Sequence, residues 1–251
     1  MSFLYCHAEG SGPPLVFLHG FCDSHGLWKE FIPAFVSSFR VLAPDLPGFG
    51  SSEMLPTPFS LDDVGDAIAS WIESNSLVKP VVIGHSLGGY IALSLLERHA
   101  RLLSGVGLFH STPYGDSNER KEVRKKVIEF VRKNGVEPFV ETFVPGLFLD
   151  KSNPAIPAAK KRALATSADA LIGYSVAMAN RPDRSETFVD SQIPCLLIAG
   201  TEDALIPIKS LRKSIKKCLF YELPNVAHMG VFEAKKQCQE MILRFATGIF
   251  Q

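Results

Sequence analysis

The sequence predicts an α/β protein with a mostly parallel central sheet and helices on both faces. Short apolar runs ending in glycine or turn residues recur at Leu15 to Gly20, Arg40 to Ala43, Pro80 to Gly84, Leu103 to His110, Pro194 to Gly200 and Cys218 to Leu223. Runs that are apolar throughout are strands buried on both faces. Between most of them lie residues at helical spacing, such as Leu61, Val64, Ile68, Trp71 and Ile72, or Ile91, Leu95 and Leu96. Such alternation builds a parallel sheet covered on both sides. Ligands of these sheets bind beyond the carboxyl ends of the strands, so the residues just after each run are the candidates for chemistry.

The alternation stops after the run that ends at His110. From about Thr112 to Asp190 no strand pattern is visible, and helical patterns are punctuated by Pro138, Pro145, Pro154 and Pro157. This stretch is read as a helical insertion, which divides the chain into a core of residues 1–111 and 191–251 and a cap of residues 112–190. Within the cap, Val123, Val127, Phe130 and Val131 mark one face of a helix whose other face is mostly Lys and Arg, so a packed stripe under a solvated face is expected.

Composition narrows the function. The chain has 251 residues, 46% hydrophobic and 21% charged, which suits one large α/β domain and leaves little scope for long disorder. Lys and Arg total 26, and Asp and Glu also 26. That balance gives no electrostatic case for a nucleic-acid partner, and a small, mostly apolar ligand is expected instead. The five cysteines, Cys6, Cys22, Cys195, Cys218 and Cys238, are odd in number and form no CxxC pair, so reduced thiols are expected. Residues 1–10 lack a basic region followed by an apolar run, and no stretch approaches the ~18 apolar residues that span a bilayer. A soluble cytoplasmic protein without a membrane partner is the expectation; the oligomeric state is open.

The strongest chemical signal is Gly84-His85-Ser86-Leu87-Gly88, directly after the strand Val81-Val82-Ile83 and before a helical pattern. A serine on a tight strand-to-helix turn takes a strained backbone that points its hydroxyl out over the sheet, and flanking glycines let strand and helix approach. The following helix directs its positive end toward developing negative charge.

With this motif the chain resembles the α/β-hydrolase family, and four further segments extend the resemblance along nearly the whole chain. Leu18-His19-Gly20-Phe21 is similar to the family's oxyanion turn, which implies that the backbone N–H groups of Phe21 and Leu87 hold an oxyanion, each worth roughly 3 to 4 kcal/mol. Asp45-Leu46-Pro47-Gly48-Phe49-Gly50-Ser51-Ser52 resembles a structural loop of the family. Ile198-Ala199-Gly200-Thr201-Glu202-Asp203 is a strand running into a loop acid, which implies Asp203 as the triad carboxylate with Glu202 as the near miss. Asn225-Val226-Ala227-His228-Met229 matches the position of the catalytic histidine, with Ala227 where many relatives have glycine. The chain order Ser86, Asp203, His228 is the order of this fold.

What the resemblance implies is a serine hydrolase that cleaves a carboxylic ester or related acyl compound, acting on a small-molecule ester-like substrate. A serine at position 86 argues against epoxide hydrolases and haloalkane dehalogenases, which carry a carboxylate there. Lactonases (enol-lactonase-like), cofactor-free haloperoxidases and C–C hydrolases keep a serine triad and remain rivals, as does a non-catalytic small-molecule receptor. The run Met178 to Arg184 is similar to the closing segment of caps in lactonase-like and esterase-like members. Phe139, Phe143, Leu147, Phe148, Tyr174 and Met178 are candidates for an apolar substrate lining. Arg181 and Arg184 are read as salt-bridged hinge residues before substrate contacts, and His110 as structural before catalytic. No HExxH, HxH, clustered Cys and His or helix-opening GxGxxG occurs, so neither a metal nor another cofactor is expected.

Overall fold

The structure, a computed structural model, describes residues 4–212 and 218–251; residues 1–3, where the N-terminal stretch considered above begins, lie outside that set. Seven strands form one sheet: β1 Cys6–Glu9, β2 Pro14–Leu18, β3 Arg40–Pro44, β4 Val81–His85, β5 Gly105–Phe109, β6 Cys195–Gly200 and β7 Leu219–Leu223. Their spatial order is β1-β3-β2-β4-β5-β6-β7. β1 pairs antiparallel with β3, and every other pairing is parallel. The β1 strand was not expected from the sequence.

Alternate side chains of each strand enter opposite layers, as the twofold strand period requires. Leu15, Phe17, Val81, Ile83, Leu196 and Ile198 face one layer, where Trp28, Phe31, Phe35, Ile242 and Phe245 cover them. Val16, Leu18, Val82, Leu108 and Leu197 face the other, under Val64, Ile68, Ile72, Ile91 and Leu95. The second layer is built by α1 (Leu61–Ser74) and α2 (Leu87–His99), and α10 (Lys235–Phe250) closes the first. Helix α1 starts where its sequence dictates: Ser60 caps the N–H of Asp63, and the Asp63 carboxylate accepts the Ser60 N–H in return.

Between β5 and β6 the described residues form five helices and no strand: α3 Asn118–Asn134, α4 Val136–Gly146, α5 Ile156–Leu164, α6 Ala168–Ala179 and α7 Ser185–Val189. The stripe expected on α3 is packed at one end only. Val131 is buried, whereas Val123 is 59% exposed and Phe130 42% exposed. Val123 and Val127 line a cavity, so on this part of the helix space rather than protein lies against the stripe. Two short helices complete the set: α8 Ile208–Leu211, and α9 Gly230–Glu233 just before α10. Among the described residues, no helix is long and apolar enough to cross a membrane.

Candidate active site

Ser86 lies between the end of β4 and the first residue of α2, with φ +50° and ψ −112°, a backbone conformation strained for a residue with a Cβ. Close approach around it requires glycine. A Cβ on Gly84 would lie 2.2 Å from the carbonyl of Gly88, and one on Gly88 would lie 2.3 Å from the carbonyl oxygen of Leu18. The turn is tied down on both sides: the Ser86 N–H donates to the Phe109 carbonyl at 3.0 Å, and the Ser86 carbonyl accepts from the Ser111 hydroxyl at 2.7 Å. Leu87 is the first residue of α2, where an N–H has no acceptor within its own helix.

Asp203 follows β6, and His228 follows β7. The Nδ1–H of His228 donates to Asp203 Oδ2 at 2.8 Å. Asp203 Oδ1 accepts the backbone N–H groups of Leu205 and Ile206, both at 2.9 Å. His110, at the end of β5, also places Nδ1 against Oδ2, at 3.4 Å. Burial pushes the Asp203 carboxyl up, but the facing His228 ring and the hydrogen bonds from His110 and His228 outweigh it. The carboxyl is held well below the usual carboxylate range. Asp203 is therefore an anion that accepts through both oxygens, and it fixes the His228 tautomer with Nε2 free of the Nδ1 proton. His110, Asp203 and His228 bring ligand-type atoms within 4.8 Å of one another, a grouping the sequence did not suggest for a metal. Both Nδ1 atoms are already spent on Oδ2, so the set is a hydrogen-bonded chain.

His228 is held by its neighbours as well. Its N–H donates to the Leu147 carbonyl at 3.0 Å, and its carbonyl accepts from His85 Nε2 at 3.0 Å. One carboxylate, Glu233, joins the histidine loop to the stretch after α4, accepting the N–H of Ala227 at 3.0 Å and that of Leu149 at 2.6 Å. His19 accepts the Leu46 N–H at 2.9 Å through Nε2 and donates Nδ1–H to Gly20, fixing the turn that presents Phe21. Burial lowers the pKa of His19, His85 and His110, so all three are neutral, with His85 well below the ordinary value.

Two cavities meet at Ser86. The smaller, about 30 Å³, is lined by Gly20, Phe21, Cys22, His85, His228 and Leu147 among others. The larger, about 340 Å³, is lined by Phe21, Tyr90, Val127, Phe139, Met178 and Leu205, with Arg120 and Arg124 also on its wall. Phe21, Ser86 and Phe143 line both. Of the expected lining residues, Phe139, Phe143 and Met178 face the larger cavity, and Leu147 the smaller.

Phe148 and Tyr174 lie elsewhere. Phe148 is fully buried and stacks on Phe232 at 5.9 Å. Tyr174 donates its hydroxyl to the Pro47 carbonyl at 2.8 Å and packs its ring on Phe49 and Phe59. Both side chains belong to the core, and helical spacing could not show which way they turn. Arg181 and Arg184 are the salt-bridged residues they were expected to be. Arg181 pairs with Asp116 at 2.8 Å and lies 3.9 Å over the Tyr90 ring. Arg184 pairs with Asp62 at 2.6 Å and Glu97 at 2.8 Å.

Several residues around the two cavities leave no signal in the sequence. Asp116 holds Arg120, Arg124 and Arg181 together beside the larger cavity, a convergence across many residues that leaves no local pattern. Cys22, Val144, Ala159 and Met229 line the smaller cavity and were equally silent. Cys22 has φ +57° and sits directly after the Leu18-His19-Gly20-Phe21 turn, a place where a search for chemistry could have looked.

A mostly parallel seven-stranded sheet carrying a strained serine elbow after β4 and an Asp–His pair after its last two strands defines the α/β-hydrolase architecture. The profile of the Alpha/beta hydrolase family matches residues 15–238, and the chain belongs to that family. Over 93% of its length the chain is 26% identical to a dihydrolipoyllysine-residue acetyltransferase component of an acetoin cleaving system from Pseudomonas putida, of which it spans 63%. It is 25% identical to a pimeloyl-[acyl-carrier protein] methyl ester esterase from Vibrio atlanticus, over 95% of this chain and 96% of that protein. A thermophilic esterase from Thermogutta terrifontis superposes with a TM-score of 0.92 at 26% identity, covering 100% of this chain and 95% of that one.

Proposed function

We propose that this protein is a serine hydrolase that cleaves a carboxylic ester, with residues 112–190 acting as the cap over its site. Ser86 is the nucleophile, His228 the general base and Asp203 the acid that orients and charges the imidazole. The observation that supports this reading most is the 2.8 Å Asp203–His228 hydrogen bond, beside a cavity that His228 and Ser86 both line.

The chemistry follows from that geometry. His228 Nε2 takes the Ser86 proton as Oγ attacks the carbonyl carbon, and Asp203 stabilises the imidazolium that forms. The backbone N–H groups of Phe21 and Leu87 receive the oxyanion, each contributing roughly 3 to 4 kcal/mol in the transition state. The acyl-enzyme is then hydrolysed by water along the same path. The mostly apolar larger cavity suits the hydrocarbon part of an acyl group.

The test is acid release from methyl octanoate, followed by pH-stat, with wild type, Ser86→Ala and His228→Ala. Wild-type turnover that both substitutions reduce by at least ~10³-fold is the expected result. Undiminished turnover by Ser86→Ala refutes the reading.

A further inference from the structure

The two cavities that meet at Ser86 differ about tenfold in size, and His228 lines only the smaller. That asymmetry assigns the two halves of an ester. When the tetrahedral intermediate collapses, the bond between the carbonyl carbon and the alkoxy oxygen breaks. The leaving oxygen takes the proton that His228 received from Ser86, so it must come within hydrogen-bonding reach of Nε2. The alcohol therefore leaves on the His228 side, into the smaller cavity, and the acyl group lies in the larger.

Size then sets the limits. A cavity needs roughly 10–15 Å³ to hold one water, so about 30 Å³ accepts a group of about two heavy atoms. Its walls are not loose ends. Val144 and Leu147 are buried, and Leu147 also holds His228 through its carbonyl. The same space serves the second half of the reaction. Once the small alcohol has gone, a water occupies it, gives a proton to His228 and attacks the acyl carbon. Ser86 Oγ departs with that proton, leaving carboxylic acid and free enzyme. The larger cavity, about 340 Å³ and mostly apolar, takes a chain of several carbons.

We propose that the substrate is an ester of a one- or two-carbon alcohol with a longer, apolar acyl group. The proposal rests on the ester-hydrolase reading above and goes beyond it by naming both halves. It also separates esters from lactones: in a lactone the leaving oxygen remains tethered to the acyl chain, and the ring carbons beside it would have to enter the smaller cavity.

The test is a grid of esters assayed by acid release with the full-length protein. Methyl, ethyl, butyl and benzyl octanoate vary the alcohol, and methyl acetate, methyl butyrate and methyl octanoate vary the acyl group. We expect kcat/KM to fall at least ~10-fold from methyl to butyl octanoate and to rise from methyl acetate to methyl octanoate. Leu147→Ala, and independently Val144→Ala, narrows the methyl-to-butyl ratio, whereas Met178→Ala on the larger cavity shifts the acyl series and leaves that ratio alone. Butyl or benzyl esters cleaved as well as methyl esters by wild type overturn the assignment while leaving the hydrolase reading standing. So does an unchanged ratio in folded Leu147→Ala and Val144→Ala. Absence of Ser86-dependent turnover across the whole grid overturns both.

Discussion

Asp203 Oδ2 lies 2.8 Å from Nδ1 of His228, while its Oδ1 accepts two backbone N–H groups. The carboxylate is thus a fixed acceptor rather than a swinging one, and its charge is what selects the His228 tautomer. Asp203→Asn keeps the shape and presents an amide that can donate to Nδ1, turning the imidazole to the wrong tautomer. kcat for the ester is expected to fall by about 10³- to 10⁴-fold with little change in KM. A decrease of less than tenfold contradicts the role given to Asp203.

His110 offers a second donor to the same oxygen, at 3.4 Å, from a buried position with φ +48°. Asn is tolerated at positive φ and can place its amide nitrogen near the former Nδ1, whereas Leu cannot donate. His110→Leu is expected to lower kcat severalfold, because the Asp203 carboxylate loses one of its side-chain donors. His110→Asn restores kcat toward wild type. Equal effects of the two variants assign His110 to packing alone.

Stability should fall on mild acidification. His19, His85 and His110 are buried and held below the ordinary histidine value of 6.5. Below pH 6.5 the unfolded chain binds protons at these positions that the folded chain refuses, so unfolding is favoured as pH falls. Each histidine removes up to about 2 kcal/mol between pH 6.5 and pH 5. Urea midpoints measured from pH 7.5 to pH 5 should drop steadily, and the drop should be shallower in His110→Asn. A flat profile refutes neutral burial of the three rings.

Two glycine-to-alanine substitutions should differ in sign. Gly88→Ala drives a Cβ to within 2.3 Å of the Leu18 carbonyl oxygen and should cost ~3 kcal/mol or more and abolish activity. Gly248, inside α10 with nothing within 4 Å of its would-be Cβ, should gain about 0.5–1 kcal/mol as alanine. Thermal unfolding of both variants checks the pair.

Six strands were legible because each is a short, largely apolar run; β2 to β6 are buried almost throughout, whereas β7, at the sheet edge, is half-buried with Leu219 exposed, and only the strand ends shift by a few residues. β1 was not, since Cys6-His7-Ala8-Glu9 is short, half polar and lies at an antiparallel edge, where one face meets solvent. The placement of Ser86, Asp203 and His228 after strand ends was legible because each follows an apolar run, while the roles proposed for them came from the resemblance to the α/β-hydrolase family. Side-chain direction within the helices between β5 and β6 was not. Phe139 and Phe148 are equally apolar, yet one lines the larger cavity and the other fills the core. Ion pairs such as Arg184 with Asp62 join positions 122 residues apart, and nothing local in the sequence announces them.

Covalent labelling tests most directly for an activated serine at position 86. The pure protein is treated with a small fluorophosphonate, digested, and the modified residue located by mass spectrometry. One adduct per chain is expected, on Ser86, forming at least ~100-fold more slowly in His228→Ala. Labelling at another residue, or labelling of Ser86 at the same rate without His228, contradicts the activation of Ser86 by His228.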